Sequence, residues 1–509
     1  MSDGNAASYF VDRHVREGRG DKVVFREFGT GRSITYGSLA QSSDLIAGAL
    51  ARAGIRPEER VAMLVLDQIE FPQIFWGALK RGAVPIPLNT LLAAPVYDAI
   101  LRDSRAVALF VSAALYHEVK PVLADNPYLR QVIVIEDSAV PSGDLAAFLD
   151  GAEPQKAFDA NHDEVAFWLY SSGSTGEPKG VCHVHSSLRA SAETYGSHVL
   201  EIEEHDTVLS AAKLFFAYGL GNAMTFPMAV GATVVLFNGR PTPDAMFDVL
   251  DAEQPSIFCC VPTLYAGMVA HMEQNKITPP VLRRCISAGE ALPEDIGRRW
   301  QALTAVEVLD GVGSTELLHI FLSNAPGDVE YGTSGTPVPG YRVRLVDEHD
   351  EEVRPGEIGE LLVDGASSAS CYWNRRAKSR ETFEGVWTRT GDKYTRRPDG
   401  RYIYCGRTDD MFKVSGIWLS PFEVEQAIIS HPAVLEAAVV AAQDEDGLDK
   451  PKAFVVLKGD KPVAFEVTLK DHVKQKIGKW KYPRWIECVD ELPKTATGKI
   501  QRFKLRKSA

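Results

Sequence analysis

At 509 residues the chain exceeds what one ordinary hydrophobic core organises, so two or more domains are expected. Its 45% hydrophobic and 24% charged residues suit an ordinary globular protein, and a formal net charge of −13 speaks against general binding to nucleic acid or to an anionic membrane. No apolar run is long enough to cross a bilayer, the first residues lack a signal-peptide pattern, and the seven cysteines show neither metal-ligand nor CxxC spacing. The expectation is a soluble, cytoplasmic protein with reduced thiols.

In chain order, Thr35-Tyr-Gly-Ser-Leu39 offers a helix start, and Leu39, Ile46, Leu50 and Ala53 keep helical spacing up to Gly54. Arg60 to Asp67 reads as a buried strand, Phe71 to Lys80 as a helix and Val84 to Leu88 as an extended segment. Val107 to Val111 and Gln131 to Ile135 are further apolar strands. Strands alternating with helices predict a largely parallel sheet with helices on its faces, binding ligands beyond its C-terminal strand ends. The run Val165 to Leu169 reads as one more such strand, opening into Tyr170-Ser-Ser-Gly-Ser-Thr-Gly-Glu-Pro-Lys-Gly180.

That loop offers the hydroxyls of Ser171, Ser172, Ser174 and Thr175, the backbone at Gly173 and Gly176, and the Lys179 ammonium. These are the groups phosphate oxygens require. It is not a Walker A loop, since no glycine directly precedes Lys179 and no Ser or Thr follows it. The α/β alternation resumes with strands at Ala232 to Phe237 and Ser256 to Val261, and Val281 to Ser287 leads into Ala288-Gly-Glu290. From about Gly335 short strands and turns predict a small β-rich module. Beyond Gly406 to Asp410 come a helix (Pro421 to Ile429), strands (Ala437 to Ala442, Lys452 to Leu457), a charged helix (Val467 to Ile477) and a basic tail, the content of a compact α+β domain.

Five elements, in order along nearly the whole chain, resemble those of adenylate-forming enzymes: the acyl-CoA synthetases, adenylation domains and luciferases. They are the loop Tyr170 to Gly180, Gly311-Val-Gly-Ser-Thr-Glu316, Trp387-Thr-Arg-Thr-Gly-Asp392, the segment Gly406-Arg-Thr-Asp-Asp410 with Lys413-Val-Ser-Gly416, and Pro493-Lys-Thr-Ala-Thr-Gly-Lys499. Five matches in sequence make coincidence very unlike what one match would allow. The resemblance implies an α/β fold: a large N-terminal domain of stacked α/β sheets with the β-rich module (residues 1–407), and a small mobile α+β domain (residues 408–509).

It also implies roles. ATP and Mg²⁺ activate a carboxylate by in-line attack on the α-phosphorus, and coenzyme A accepts the acyl group, a chemistry that needs placed donors and cations. The loop would hold the pyrophosphate portion, Ser314 and Thr315 would contact phosphate, and Glu316 would ligate Mg²⁺. Ala288, Gly289 and Glu290 with Asp310, Gly311 and Gly313 would flank adenine; Val312 departs from the aromatic common there and leaves the stacking partner open. Asp392 would accept from the ribose hydroxyls, supported by Arg407. Lys499 would neutralise charge at the carboxylate and the α-phosphate. Asp409 would be the hinge between two half-reactions, with Lys413 and Gly416 then facing the pantetheine arm.

The acid is read from Lys213-Leu-Phe-Phe-Ala-Tyr-Gly-Leu-Gly221 and Leu317-Leu-His-Ile-Phe321, which most resemble the benzoate-type aryl-CoA ligases. Phe216, Ala217, Tyr218, Gly219 and Ile320 would form the ring pocket, Ala217 and Gly219 making room for a flat ring. His319 would bind the carboxylate or stack beside it. The expected partners are therefore an aromatic carboxylic acid, ATP and CoA, without nucleic acid or membrane and with a homodimer left open. A stand-alone adenylation enzyme loading a carrier protein, a scaffold with a dead site and a luciferase-like oxygenase are the rival readings.

Overall fold

The computed structural model describes residues 4–136, 143–172, 178–275, 277, 281–414, 417–445, 448–478, 481–494 and 500–506. By its internal contacts the chain divides into two units, Met1–Val343 with Leu362–Thr390, and Arg344–Leu361 with Gly391–Ala509.

The first unit opens with β1 (Val23–Glu27), β2 (Ser33–Thr35), β3 (Arg60–Leu64), β4 (Val84–Pro87), β5 (Ala108–Ser112) and β6 (Gln131–Ile135). Next come β7 (Val165–Ser172), β8 (Pro178–Val184), β9 (Thr207–Ser210), β10 (Thr233–Leu236) and β11 (Ile257–Cys260). They are followed by β12 (Arg284–Ser287), β13 (Val308–Gly313), β14 (Ile320–Ser323) and β15 (Thr336–Pro337). Strands β4-β3-β5-β6 form an all-parallel sheet. A nine-stranded sheet runs β15-β14-β13-β12-β11-β9-β10-β1-β2, parallel from β13 to β1 and antiparallel at both edges. The expected α/β body is thus present as two sheets. The short strands after Gly335 are β16 (Arg342–Val346), β17 (Ile358–Asp364), β18 (Cys371–Tyr372), β19 (Phe383–Glu384), β20 (Trp387–Arg396) and β21 (Tyr402–Arg407).

One placement differs from expectation. β7 does not join the parallel sheet; it pairs antiparallel with β8 in a separate sheet, β18-β8-β7, in register from Val165↔Val184 to Ser172↔Pro178. The reason lies in the chain length between them. A parallel neighbour needs a crossover of about a dozen residues or more, whereas an antiparallel one needs only a short turn. The apolar run Val181 to Val184, so soon after the loop, therefore folds back on β7.

Helices form where their ends are satisfied. Tyr36–Arg52 is capped by Thr35, whose hydroxyl accepts from the Ser38 amide at 3.2 Å, and buries Leu39, Ile46 and Leu50. Glu70–Arg81 buries Phe71, Phe75 and Trp76, and its fully buried Lys80 is neutralised by Asp12 (2.6 Å) and Asp44 (2.5 Å). Around the nine-stranded sheet, Leu209, Phe258, Tyr265, Met268 and Trp300 belong to one core cluster. These packed faces leave the C-terminal ends of β9, β11, β12 and β13 as the rigid rim on which side chains are placed.

In the second unit, β22 (Phe412–Val414) pairs with β23 (Ile417–Leu419), and β24 (Val434–Gln443), β25 (Asp449–Leu457) and β26 (Trp485–Cys488) form a three-stranded sheet. The predicted helix Pro421–Ile429 is present, capped by Ser420 accepting from the Glu423 amide at 3.0 Å. With Phe465–Ile477 it covers the sheet through Val424, Ile428, Val439, Val455, Leu469 and Val473, giving the expected α+β core. Among the described residues no helix is long and apolar enough to cross a membrane.

Candidate active site

Parallel pairing of β12 with β13 sets Ser287 opposite Asp310, which brings the two predicted adenine-flanking segments, Ala288-Gly-Glu290 and Asp310-Gly-Val-Gly313, to neighbouring strand ends. Gly289 there adopts φ +97°, a conformation that favours glycine. Asp310 is buried; its Oδ2 accepts from the Leu292 amide at 3.3 Å, and burial pushes the carboxyl up to about 8. Gly311 and Gly313 are required by packing, because a Cβ on either would press on Ile320 or on the His319 backbone.

Beside this rim, β8 carries Lys179 opposite Ser171. The Lys179 ammonium donates to Glu316 Oε1 at 2.9 Å and lies 3.0 Å from Tyr372 Oη, whose hydroxyl donates to the same Oε1 at 2.7 Å. It also stands 4.2 Å over the Tyr372 ring. Burial alone would raise the Glu316 carboxyl, but the Lys179 charge and the two hydrogen bonds outweigh it and hold the group below the usual carboxylate range. Glu316 is therefore ionised at neutral pH. Its turn is fixed locally: Leu317 N donates to Ser314 Oγ (3.2 Å), and the Thr315 carbonyl accepts from His183 Nε2 (2.8 Å). Ser171 Oγ is buried with no hydrogen-bond partner among the described residues. Gly173, Ser174, Thr175 and Gly176 lie outside the described residues, so the loop is seen through its two anchoring strands.

Three residues after Glu316 the same turn presents His319, 3% exposed, among the rings of Phe226 (4.4 Å between centroids), Tyr195 (5.3 Å) and Tyr218 (5.6 Å). His319 Nε2 lies 3.2 Å from the Tyr218 carbonyl. A carbonyl only accepts, so Nε2 carries the proton and Nδ1 holds a lone pair, buried without a partner among the described residues. Burial lowers the imidazole to about 3. Nε2–H is engaged by the Tyr218 carbonyl, and the neutral ring packs among these aromatic side chains. Tyr218 is pinned by its hydroxyl, which donates to the carbonyls of Ile286 (3.1 Å) and Cys260 (3.3 Å). Phe216 and Ala217 are half-buried beside it, and Ile320 is buried. The room expected beside Gly219 is absent: a Cβ there would collide with the Lys213 carbonyl, so Gly219 serves close backbone packing. Gly221 is the residue that makes room, for the His319 ring itself.

Four buried histidines carry a stability consequence. Burial lowers His14, His183 and His185 to about 4 and His319 to about 3. An unfolded histidine takes up a proton near pH 6.5, whereas these stay neutral in the fold, so stability falls as pH drops through that value until the folded values are reached. Each histidine contributes a loss of about 1.4 kcal/mol per pH unit in that window. The buried carboxyls of Asp310, raised to about 8, and Asp67, raised to about 6, act in the opposite direction and offset two of the four. The urea midpoint is still expected to fall from pH 6.5 to 4; a level midpoint across that range would contradict it.

In the second unit, the expected ribose pair is adjacent. Asp392 and Arg407 are Cα partners of β20 and β21, and Arg407 Nη1 donates to Asp392 Oδ1 at 2.9 Å. The Asp409 carbonyl accepts from Arg506 (3.0 Å), and Arg506 also pairs with Asp410. The β22–β23 hairpin carries Lys413, while Gly416 lies outside the described residues. Lys499 also lies outside them, but its flanks are tied by the Lys494↔Ile500 bridge and by Gln501 N donating to the Pro493 carbonyl at 2.7 Å.

Sequence reasoning missed Tyr372, Tyr195, Phe226 and Gly221. Tyr372 sits 193 residues from Lys179, and no local pattern announces such a partner. Gly221 was visible as the last glycine of the aromatic run, without its purpose.

Two family models match the chain: AMP-binding enzyme over residues 11–373, and AMP-binding enzyme C-terminal domain over residues 423–499. A 4-hydroxybenzoate–CoA/benzoate–CoA ligase of Rhodopseudomonas palustris is 53% identical, the match covering 99% of this chain and 94% of the relative. A benzoate–CoA ligase of Thauera aromatica is 54% identical, over 99% and 95%. Among solved structures, a benzoate CoA ligase from Burkholderia xenovorans superposes with a TM-score of 0.88 at 46% identity, covering 99% of both chains. An anthranilate CoA ligase with bound anthranoyl-AMP gives 0.92 at 39%, covering 99% of this chain and 97% of that one. Motif order, fold, strand-end geometry and full-length similarity agree, and the chain belongs to the AMP-binding, adenylate-forming enzyme family.

Proposed function

We propose that the chain is an ATP-dependent, AMP-forming aryl-CoA ligase that converts benzoate or a substituted benzoate to its CoA thioester. One observation carries this reading: the turn 314–320 holds, three residues apart, an ionised Glu316 paired with Lys179 and a neutral His319 walled by aromatic rings. Phosphate chemistry and a flat apolar ring are thereby served by one rigid segment. In the first half-reaction a carboxylate oxygen attacks the α-phosphorus and pyrophosphate leaves; in the second the CoA sulfur attacks the acyl carbonyl and AMP leaves.

The proposed roles rest on the motif resemblance. Ser171 to Gly176, Lys179, Ser314 and Thr315 hold the departing phosphates. Ala288 to Glu290 and Asp310 to Gly313 flank adenine, and Asp392 with Arg407 orders the ribose. Phe216, Ala217, Tyr218, Ile320 and His319 enclose the ring. Among the described residues no cluster of three or more His, Cys, Asp or Glu could hold a metal, but a single ionised carboxylate is what Mg²⁺ uses when waters and substrate phosphates complete its shell. Glu316 would hold that ion, which when bound would neutralise charge on the phosphate oxygens. We assign the acyl-activating body to residues 1–407 and the Lys499-bearing domain to 408–509, with seven free thiols suited to a cytoplasmic setting.

Asp409 is the proposed hinge between half-reactions. Asp409→Pro is expected to slow thioester formation at least about tenfold more than adenylation, because proline fixes φ; equal losses in both, measured by separate half-reaction assays, would remove the hinge. The proposed activity itself is tested by benzoate-dependent pyrophosphate exchange followed by acyl transfer to free CoA or to a phosphopantetheinylated carrier. Benzoyl-CoA is the expected product; transfer to the carrier alone would overturn the ligase reading.

A further inference from the structure

The two strands that carry Lys179 and Tyr372 also bring two thiols together. β18 pairs antiparallel with β8, and Cys371 and Cys182 are direct Cα partners. Directly opposite residues of such a pair stand about 4.5–5.5 Å apart at Cα, inside the span a disulfide bridges. Their side chains share one face of the paired strands. Neighbouring residues face the other way, and there Tyr372, the partner of Val181, meets Lys179 and Glu316. Both cysteines are free thiols; Cys182 is buried and Cys371 partly exposed.

We propose that Cys371 and Cys182 form a peroxide-sensitive modification site, closing to a cross-strand disulfide that slows the first half-reaction. The chemistry balances with hydrogen peroxide as the oxidant. The Cys371 thiolate attacks one peroxide oxygen; an S–O bond forms, the O–O bond breaks, and hydroxide leaves to become water. The Cys182 sulfur then attacks Cys371 Sγ; the S–S bond forms, the S–O bond breaks, and the departing hydroxide takes the Cys182 proton as a second water. Two electrons pass from the thiols to the peroxide.

Cys371 is suited to the attacking role. It is the more exposed of the two and accepts from Ser370 Oγ at 3.8 Å; the neighbouring Cys182 thiol and this hydroxyl lower it, whereas the nearby Cys371 sulfur and burial raise Cys182. Cys259, Cys260 and Cys285 are fully buried and raised, so they do not compete. Closing the bond draws the Cβ atoms to about 3.8 Å, roughly 1 Å nearer than an ordinary cross-strand pair. β18 must shift on β8, and Tyr372 moves with it. A displacement of about 1 Å at a placed group can cost up to ~10²-fold in rate.

The test treats the full chain with a few equivalents of hydrogen peroxide. It reads the 182–371 linkage by peptide mass spectrometry and benzoate-dependent pyrophosphate exchange alongside. Expected are the linked peptide, an exchange rate reduced at least about tenfold, and recovery with dithiothreitol. Cys371→Ser and Cys182→Ser should keep the untreated rate and lose the peroxide response. The proposal is overturned by absence of the linkage, by a linkage that leaves exchange unchanged, or by equal peroxide losses in wild type and Cys371→Ser. The rate effect rests on the proposed ligase function, but the linkage is read by mass alone: failure of untreated protein to exchange pyrophosphate with any acid would count against that function and not against the thiol chemistry.

Discussion

Lys499→Ala is expected to lower benzoate-dependent pyrophosphate exchange by about 10²–10³-fold while leaving thioester formation from supplied benzoyl-AMP within about twofold of wild type. The lysine is one of many cations in the tail Lys499-Ile-Gln-Arg-Phe-Lys-Leu-Arg-Lys507, and a solvated basic tail would predict no effect. Its surroundings argue otherwise. The flanking residues are closed on one another at Lys494↔Ile500 and Gln501 to Pro493, and the following helix Arg502–Arg506 is anchored where Arg502 donates to the buried Glu425 (2.7 Å). A lysine that acts, as the motif resemblance implies, at the carboxylate and the α-phosphate would neutralise negative charge where it develops in the transition state. Only in the first half-reaction is the α-phosphorus itself attacked, with pyrophosphate leaving. Equal losses in both half-reactions would remove the assigned role and leave Lys499 a contributor to folding or to general attraction of anions.

Glu316→Gln is expected to reduce adenylation by about 10²–10³-fold, with a higher Mg²⁺ requirement. The amide keeps the shape of the side chain and an oxygen for Lys179 and Tyr372, so the loss reports charge rather than packing. The wild-type carboxyl is already held below its ordinary range by Lys179, so adenylation should show no acid limb from this group through pH 5. The linkage has the matching sign: the stability that Glu316 contributes is present above its unfolded value, near 4.3, and is lost only as pH falls through the lower folded value. An E316Q protein that adenylates like wild type, with unchanged Mg²⁺ dependence, would show that the Lys179 pair is structural.

What the sequence made legible was chemistry carried on contiguous residues. The helix start at Thr35, the helix Pro421–Ile429, the strand Gln131–Ile135, the strand core Ala437 to Ala442 and the site segments all follow from local patterns, and the structure sets Ser287 beside Asp310 and Asp392 beside Arg407. What stayed hidden depends on pairing across distance. β7 could be read as a strand but not as a member of a separate sheet, because its partner is chosen by the shortness of the loop. Tyr372 completes the Lys179–Glu316 group from far along the chain, and Tyr195 and Phe226 reach His319 only after folding. The tautomer of His319 was equally out of reach, since it is set by one carbonyl, that of Tyr218, 101 residues away. Gly219 and Gly221 look alike in sequence and differ in what stands beside them.

Competition among acids tests the central claim most directly. Purified protein is given ATP, Mg²⁺, CoA and an equimolar mixture of benzoate, hydroxy-, amino- and fluorobenzoates, cyclohexanecarboxylate and short fatty acids, and the thioesters, AMP and pyrophosphate are quantified by mass spectrometry. The proposed ring pocket of Ala217, Tyr218, Ile320 and His319 predicts aryl-CoA thioesters as the dominant products, with one AMP and one pyrophosphate released per thioester. Preferential formation of fatty acyl or cyclohexanecarboxyl thioesters, or release of ADP and phosphate, would contradict it.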